Sequence, residues 1–229
     1  MSFRPLTDFQ DIHHGDIVYV VGCAPSLWNW QRRYLNSVPA IFINSSIHFL
    51  DDYDKPIAYR IIMDSYSISE YMRVPYYART RKAIAPLAPY TFVSMNCVQR
   101  IQPHDLRLLN HRSSLVTMFY GDNRCIAPLT GDYLWWPSLI AAITLALRMG
   151  AAEIHIAAVD YTYHGTLSHW DRTRSDTGIK PDDNGPYAKK QIPSLLLNAL
   201  PLCTQRGVVL RQFTKRNLER PLGSVLTPG

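Results

Sequence analysis

Hydrophobic residues in this chain gather in short runs. Ile17 to Val21 is apolar throughout and stops at Gly22. A continuous run bounded by glycine is the pattern of a strand buried on both faces, usually a central parallel strand. Cys23-Ala24-Pro25-Ser26 then turn the chain into Leu27-Trp28-Asn29-Trp30, with Pro25 suited to the first turn of a helix, where its missing N–H is no loss. Similar runs at 39–43, 57–63, 91–95, 114–119, 152–159 and 207–213 predict further strands. Between them, residues 135–149 are apolar almost all round, which predicts a helix packed on the sheet and capped by Gly150. Weaker helical spacing appears over 65–71 and 96–112, and the last helix is predicted over 187–205. Residues 1–15 read as a polar lead-in with His13 and His14 exposed. Strands alternating with helices predict one α/β domain over 1–229, Rossmann-like, with a mostly parallel sheet and helices on both faces.

Length and composition agree with that class. The 229 residues are 47% hydrophobic, enough for a sizeable core, and no repeat interrupts them. The net charge of +6 admits anionic partners, but the basic residues lie in short clusters such as Arg32-Arg33 and Lys189-Lys190, the usual look of solvated faces. Nothing in them makes the basic, aromatic-interleaved surface of a specific nucleic-acid binder. Cys23, Cys97, Cys125 and Cys203 lie far apart, without zinc-site spacing. No stretch resembles a signal peptide or a membrane span, so the expectation is a soluble, cytoplasmic protein. A homo-oligomer is left open.

Chemistry-bearing residues fall where the strand runs end. The first run ends on Gly22-Cys23-Ala24-Pro25-Ser26, the second on Asn44-Ser45, the third on Asp64, and the 152–159 run on Asp160-Tyr161-Thr162-Tyr163-His164. Ligands of open α/β sheets gather outside the carboxyl ends of strands. A small-residue turn entering a helix can present backbone N–H groups to a phosphate, and an asparagine can both donate to and accept from a base or ribose. Plain structural roles compete: Asn44 as a turn cap, Asp64 as a helix N-cap, Ser138 as a cap of the central helix. The polar, turn-rich stretch 161–186 has the length of a lid or binding loop. It holds His164 and His169, the candidates for a general base. No Walker A lysine motif, nucleophile elbow or zinc-protease motif is present, and Asp182-Asp183 read as a solvated turn.

The strand ends also carry a resemblance. VYVVGCAPSL is similar to the G-x-G-P-S-L opening of the small bacterial sialyltransferases (glycosyltransferase family forty-two) and of related bacterial and phage glycosyltransferase-like proteins. Their wider group includes the archaeal 6-hydroxymethylpterin diphosphokinases. IFINSSIHF resembles the family's second strand, and SLIAAITLALRMGAAEIHIAAVDYTY resembles the segment S-G-x(6)-A-x-x-L-G-x-x-x-I-x-x-x-G-x-D. The matches are scattered over residues 16–165. The resemblance implies a glycosyltransferase-A-like nucleotide-binding domain that works without a bound metal or other cofactor. Asn44 would contact the nucleotide, Ser138 would hold the donor phosphate, and Asp160 with Tyr163 would lie beside the reacting centre. Ala24 stands where the family has its second glycine, and Cys23 where the sialyltransferases have asparagine. No arginine closely precedes Ser138, and no histidine lies near Lys189-Lys190, so His164 or His169 would have to act as the base.

The reading that joins these features is transfer of a sugar from a nucleotide-sugar donor, of the CMP-sialic acid type on the resemblance, to a hydroxyl acceptor on a glycan or modified DNA. Two alternatives stay open. One is a Mg²⁺-dependent pyrophosphokinase of the pterin type, with Asp64 and Asp160 as metal ligands. The other is a non-catalytic bacterial or phage binding protein of the same fold.

Overall fold

A computed structural model describes residues 4–24, 27, 35, 38–44, 46, 58–62, 90–94, 98–99, 103, 114–121, 133–135, 138–159 and 199–213, and the structural statements below concern these. Eight strands make one sheet: β1 (Ile17–Val21), β2 (Ala40–Ile43), β3 (Ala58–Ile62), β4 (Tyr90–Ser94), β5 (Ser114–Gly121), β6 (Tyr133–Trp135), β7 (Glu153–Ala157) and β8 (Val209–Phe213). Their order is β6-β5-β4-β3-β2-β1-β7-β8, and every neighbouring pair is parallel. The chain steps outward from β1 to β6, then returns to lay β7 on the other flank of β1. That reversal makes the β1–β7 boundary the topological switch point of an α/β fold.

The return runs through α1 (Ser138–Arg148), which packs against β1, β2, β3, β6 and β7 and is buried from Leu139 to Arg148. The sequence predicts this helix from residue 135, but Tyr133–Trp135 pairs with Phe119–Gly121 as an edge strand. Pro137 disfavours helix in the residue before it, and the helix begins immediately after it. Gly150 ends α1 in a Schellman arrangement at φ +84°: its N–H bonds to the Leu147 carbonyl and that of Ala151 to the Ala146 carbonyl, both at 3.2 Å.

Residues 4–16 are not the polar lead-in that their composition suggests. Leu6 and Phe9 are buried on a short 3-10 helix, and Phe9 packs edge-on against Tyr59, Tyr90 and Phe92. The next turn closes the carboxyl end of α1: the N–H groups of Asp11, His13 and Gly15 bond to the carbonyls of Arg148, Met149 and Gly150 at 3.0, 2.7 and 3.0 Å. His13 is buried, against expectation, whereas His14 is exposed.

Both faces of the sheet are covered, as a parallel sheet requires. On one face Val18, Val20, Ile41, Ile43, Tyr59, Ile61, Phe92, Val116, Ile154 and Ile156 form one core with α1, Leu6, Phe9, Ala199 and Cys203. On the other, Tyr19, Val21, Ala40, Phe42 and Ala58 are covered by Leu27 and Leu35. Each face buries one Tyr–His–carboxylate relay. On the α1 face, His13 Nδ1 lies 3.2 Å from Asp16 Oδ2 and Nε2 lies 2.7 Å from the Tyr59 hydroxyl. Burial, with a smaller contribution from Tyr90, pushes the Tyr59 phenol up to about 12, so it stays a donor. On the other face, His155 Nε2 lies 2.9 Å from Glu153 Oε2, which also accepts from Arg211 Nε at 2.9 Å. A carboxylate only accepts, so Nε2 carries the proton and Nδ1 accepts from the Tyr19 hydroxyl, 2.9 Å away. Burial lowers the His155 pKa, outweighing the pull of Glu153; the bonds from His155 and Arg211 lower that of Glu153.

The ends of β1 and β7 touch through bare backbone. Gly22 N–H bonds to the Ala157 carbonyl at 2.8 Å and Ala24 N–H to the Ala158 carbonyl at 3.0 Å. A Cβ on Gly22 would lie 2.3 Å from the Ala158 oxygen and 2.7 Å from Val159 Cγ2, so no side chain fits.

Gly22→Ala should therefore lower unfolding stability by about 2–3 kcal/mol, because a backbone carbonyl must give way. Gly150→Ala should cost a smaller ~1–2 kcal/mol, since its Cβ meets His14 Cα at 3.0 Å on a left-handed backbone. Denaturant unfolding of both variants checks the size and the order; a neutral Gly22→Ala contradicts the packing.

The lowered His155 pKa gives a second expectation. Between the folded value and the unfolded value of 6.5 the unfolded chain binds the extra proton, so this contribution is whole above 6.5 and is lost as the pH falls below it. Glu153 acts in the same direction below its unfolded value of 4.5. The urea midpoint should fall between about pH 7.5 and pH 5.5, and fall less in His155→Gln. An equal or steeper fall in the variant contradicts this.

Candidate functional site

The carboxyl ends of β7, β1, β2 and β3 are tied together by polar contacts. Beyond the two β1–β7 backbone bonds, Cys23 Sγ donates to the Ile43 carbonyl at 3.0 Å, joining the turn after β1 to the end of β2. Ser46 Oγ lies 2.8 Å from both the Val21 and the Ile43 carbonyls, spanning the same two strands. Arg60 Nε donates to the Asn44 carbonyl at 3.0 Å, joining β3 to β2. Gly22, Cys23, Ala24 and Asn44 thus share one edge of the sheet, beside the switch point.

Two residues at this edge hold left-handed backbone conformations without being glycine: Asn44 at φ +52° and Ala158 at φ +54°. Asparagine tolerates that region, but alanine adopts it at a cost of roughly 1–2 kcal/mol. Such strain persists where the surroundings over-determine the backbone, often at ligand sites. The half-buried Asn44 also places its Oδ1 out of solvent with no hydrogen-bond partner among the described residues. The Ser94 hydroxyl, at the end of β4, is likewise buried and unpartnered. An unmet buried acceptor costs about 1–3 kcal/mol, which a ligand N–H or O–H would relieve.

The Gly22 turn differs from the expected phosphate cradle in one respect. The Gly22 and Ala24 amides are spent on the carbonyls of β7 rather than left facing outward. The turn's part is to bring β1 and β7 together; accepting an anion on those two amides would mean breaking both bonds. Ser138, half-buried, opens α1, which leads from the carboxyl end of β6 to the amino end of β7. It therefore begins at the same edge as Gly22 and Asn44.

Pro25, Ser26, Ser45, Asp64, Asp160, Tyr163, His164 and His169, with the 161–186 stretch, lie outside the described residues. Among the described residues no group of three or more His, Cys, Asp or Glu side chains could hold a metal ion. Burial pushes the Cys203 thiol up to about 12. No described helix is long and apolar enough to cross a membrane. Sequence reading missed Arg60 and Ser94. Arg60, an arginine within the apolar run IAYRIIM, was the available signal; Ser94 at a strand end had none.

No protein-family model matches this chain, and no curated protein matches it. Among solved structures it is similar to that of a MAf glycosyltransferase from Magnetospirillum magneticum AMB-1, with 13% sequence identity and a TM-score of 0.42. That match covers 72% of this chain and 29% of the other, so the chain spans less than a third of its structural neighbour.

Proposed function

We propose that this chain is a glycosyltransferase-like enzyme that binds a nucleotide-sugar at the carboxyl edge of its sheet. The observation that carries this reading is the unmet Asn44 Oδ1 beside the β1–β7 switch point, where an α/β sheet offers a ligand crevice. The motif resemblance supports a donor of the CMP-sugar type. Asn44 would accept from the base or ribose, with Gly22 to Ser26, Ser45 and Asp64 lining the same nucleotide site.

In the transfer, the acceptor hydroxyl attacks the sugar's anomeric carbon, the bond to the phosphate oxygen breaks, and the nucleotide leaves as an anion. The hydroxyl proton passes to a base, His164 or His169, with Asp160 and Tyr163 beside the reacting centre. Ser138 at the start of α1, together with Lys189-Lys190, would stabilise the leaving phosphate. On this reading residues 1–229 form one nucleotide-binding unit, the acceptor is a hydroxyl of a glycan or of modified DNA, and no metal takes part.

Titration calorimetry with CMP, UDP and GDP tests the reading. One of them should bind more tightly than about 1 mM, and Asn44→Ala should weaken it about tenfold. No heat from any of the three at millimolar concentration overturns it. ATP binding that requires Mg²⁺ would favour pyrophosphate transfer instead.

A further inference from the structure

We propose that Arg60 is a positioning residue for the nucleotide site, fixing the backbone conformation of Asn44 and so the direction in which its side chain leaves the chain. The proposal rests on the reading above that Asn44 receives the ligand.

Arg60 sits in the middle of β3, in register with Phe42 of β2 and Thr91 of β4. It is 1% exposed and heads the fully buried side chains in size. Burying a guanidinium is far more costly than burying an aliphatic chain of similar volume, unless its N–H groups are used. Packing alone therefore does not explain an arginine here, since Phe42 and Ala58 on the same face show that apolar residues suit it. Among the bonds that a methionine could not supply is the charge-assisted one from Nε to the Asn44 carbonyl, at 3.0 Å.

That bond matters because of which peptide it holds. The Ile43 carbonyl belongs to the peptide before Asn44 and is gripped by Cys23 Sγ and Ser46 Oγ at 3.0 and 2.8 Å. The Asn44 carbonyl belongs to the peptide after it and is gripped by Arg60. The first pair restrains φ, at +52°, and Arg60 restrains ψ. With both peptide planes pinned, the Cα–Cβ bond of Asn44 has one direction, which narrows the positions its Oδ1 can reach before a ligand arrives. Pre-organisation of this kind raises affinity by removing the ordering cost of binding. A lysine keeps the charge but cannot place a planar N–H at the Nε position.

The test combines solution NMR with nucleotide binding. In the unmodified chain, a scalar coupling across the hydrogen bond should connect Arg60 Nε with the Asn44 carbonyl carbon; its absence overturns the proposal. In Arg60→Met and Arg60→Lys, the Asn44 Cα and Cβ shifts should leave left-handed values while those of Ile41 and Phe42 stay. Both variants should bind the nucleotide about tenfold more weakly. Adding Arg60→Met to Asn44→Ala should weaken binding no further, since one residue acts through the other. Unchanged Asn44 shifts, or losses that add in the double variant, overturn the proposal. If the unmodified chain binds no nucleotide, the enzyme reading fails, and the coupling and the Asn44 shifts alone decide the role of Arg60.

Discussion

The close contact of β1 with β7 is the constraint from which the rest follows. With a 2.3 Å gap from a would-be Cβ to the Ala158 carbonyl, position 22 admits glycine alone. Two N–H to carbonyl bonds close the junction. Because β1 continues outward through β2 and β7 arrives from the far edge, the chain diverges just beyond this point. Parallel strands put all their carboxyl ends on one side, so Gly22 after β1, Asn44 after β2 and Ala158 after β7 lie at one edge of the sheet.

The Tyr59–His13–Asp16 and Tyr19–His155–Glu153 relays pair donors with acceptors and stiffen the core across neighbouring strands. At the carboxyl edge the pairing is incomplete: carbonyls of β1 and β2 are gripped by Cys23, Ser46 and Arg60, yet the Asn44 and Ser94 oxygens have no partner. Left-handed backbone at Asn44 and Ala158 falls at the same edge. On the proposed reading, a ligand at this edge would meet the Asn44 oxygen that the protein leaves unmet.

Much of the frame was legible in the sequence because its signals are local. Short, largely apolar runs marked β1, β2, β3, β4, β5, β7 and β8 to within a few residues, and Gly150 marked the end of α1. The short strand β6 was hidden because Tyr133–Trp135 adjoins the helix and carries no pattern of its own. Residues 4–16 misled because Leu6, Phe9 and His13 are buried by contacts with distant β3, β4 and α1, which composition does not register. Of the candidate site, Gly22 and Asn44 stand out in the sequence by their places at run ends. The role of Gly22 was read too simply, since close packing rather than open amides accounts for it. Arg60 went unnoticed because its partner, the Asn44 carbonyl, is brought to it only by the β2–β3 pairing.

The central claim is that the carboxyl edge around the β1–β7 junction is where the ligand sits. The most direct measurement is a proton–nitrogen correlation spectrum of the labelled chain as CMP is added. The account predicts that the largest shifts fall on Gly22, Cys23, Ala24, Asn44 and Ala158. Largest shifts at the opposite end of the strands, on Asp16, Ala152 and Val208, would contradict it.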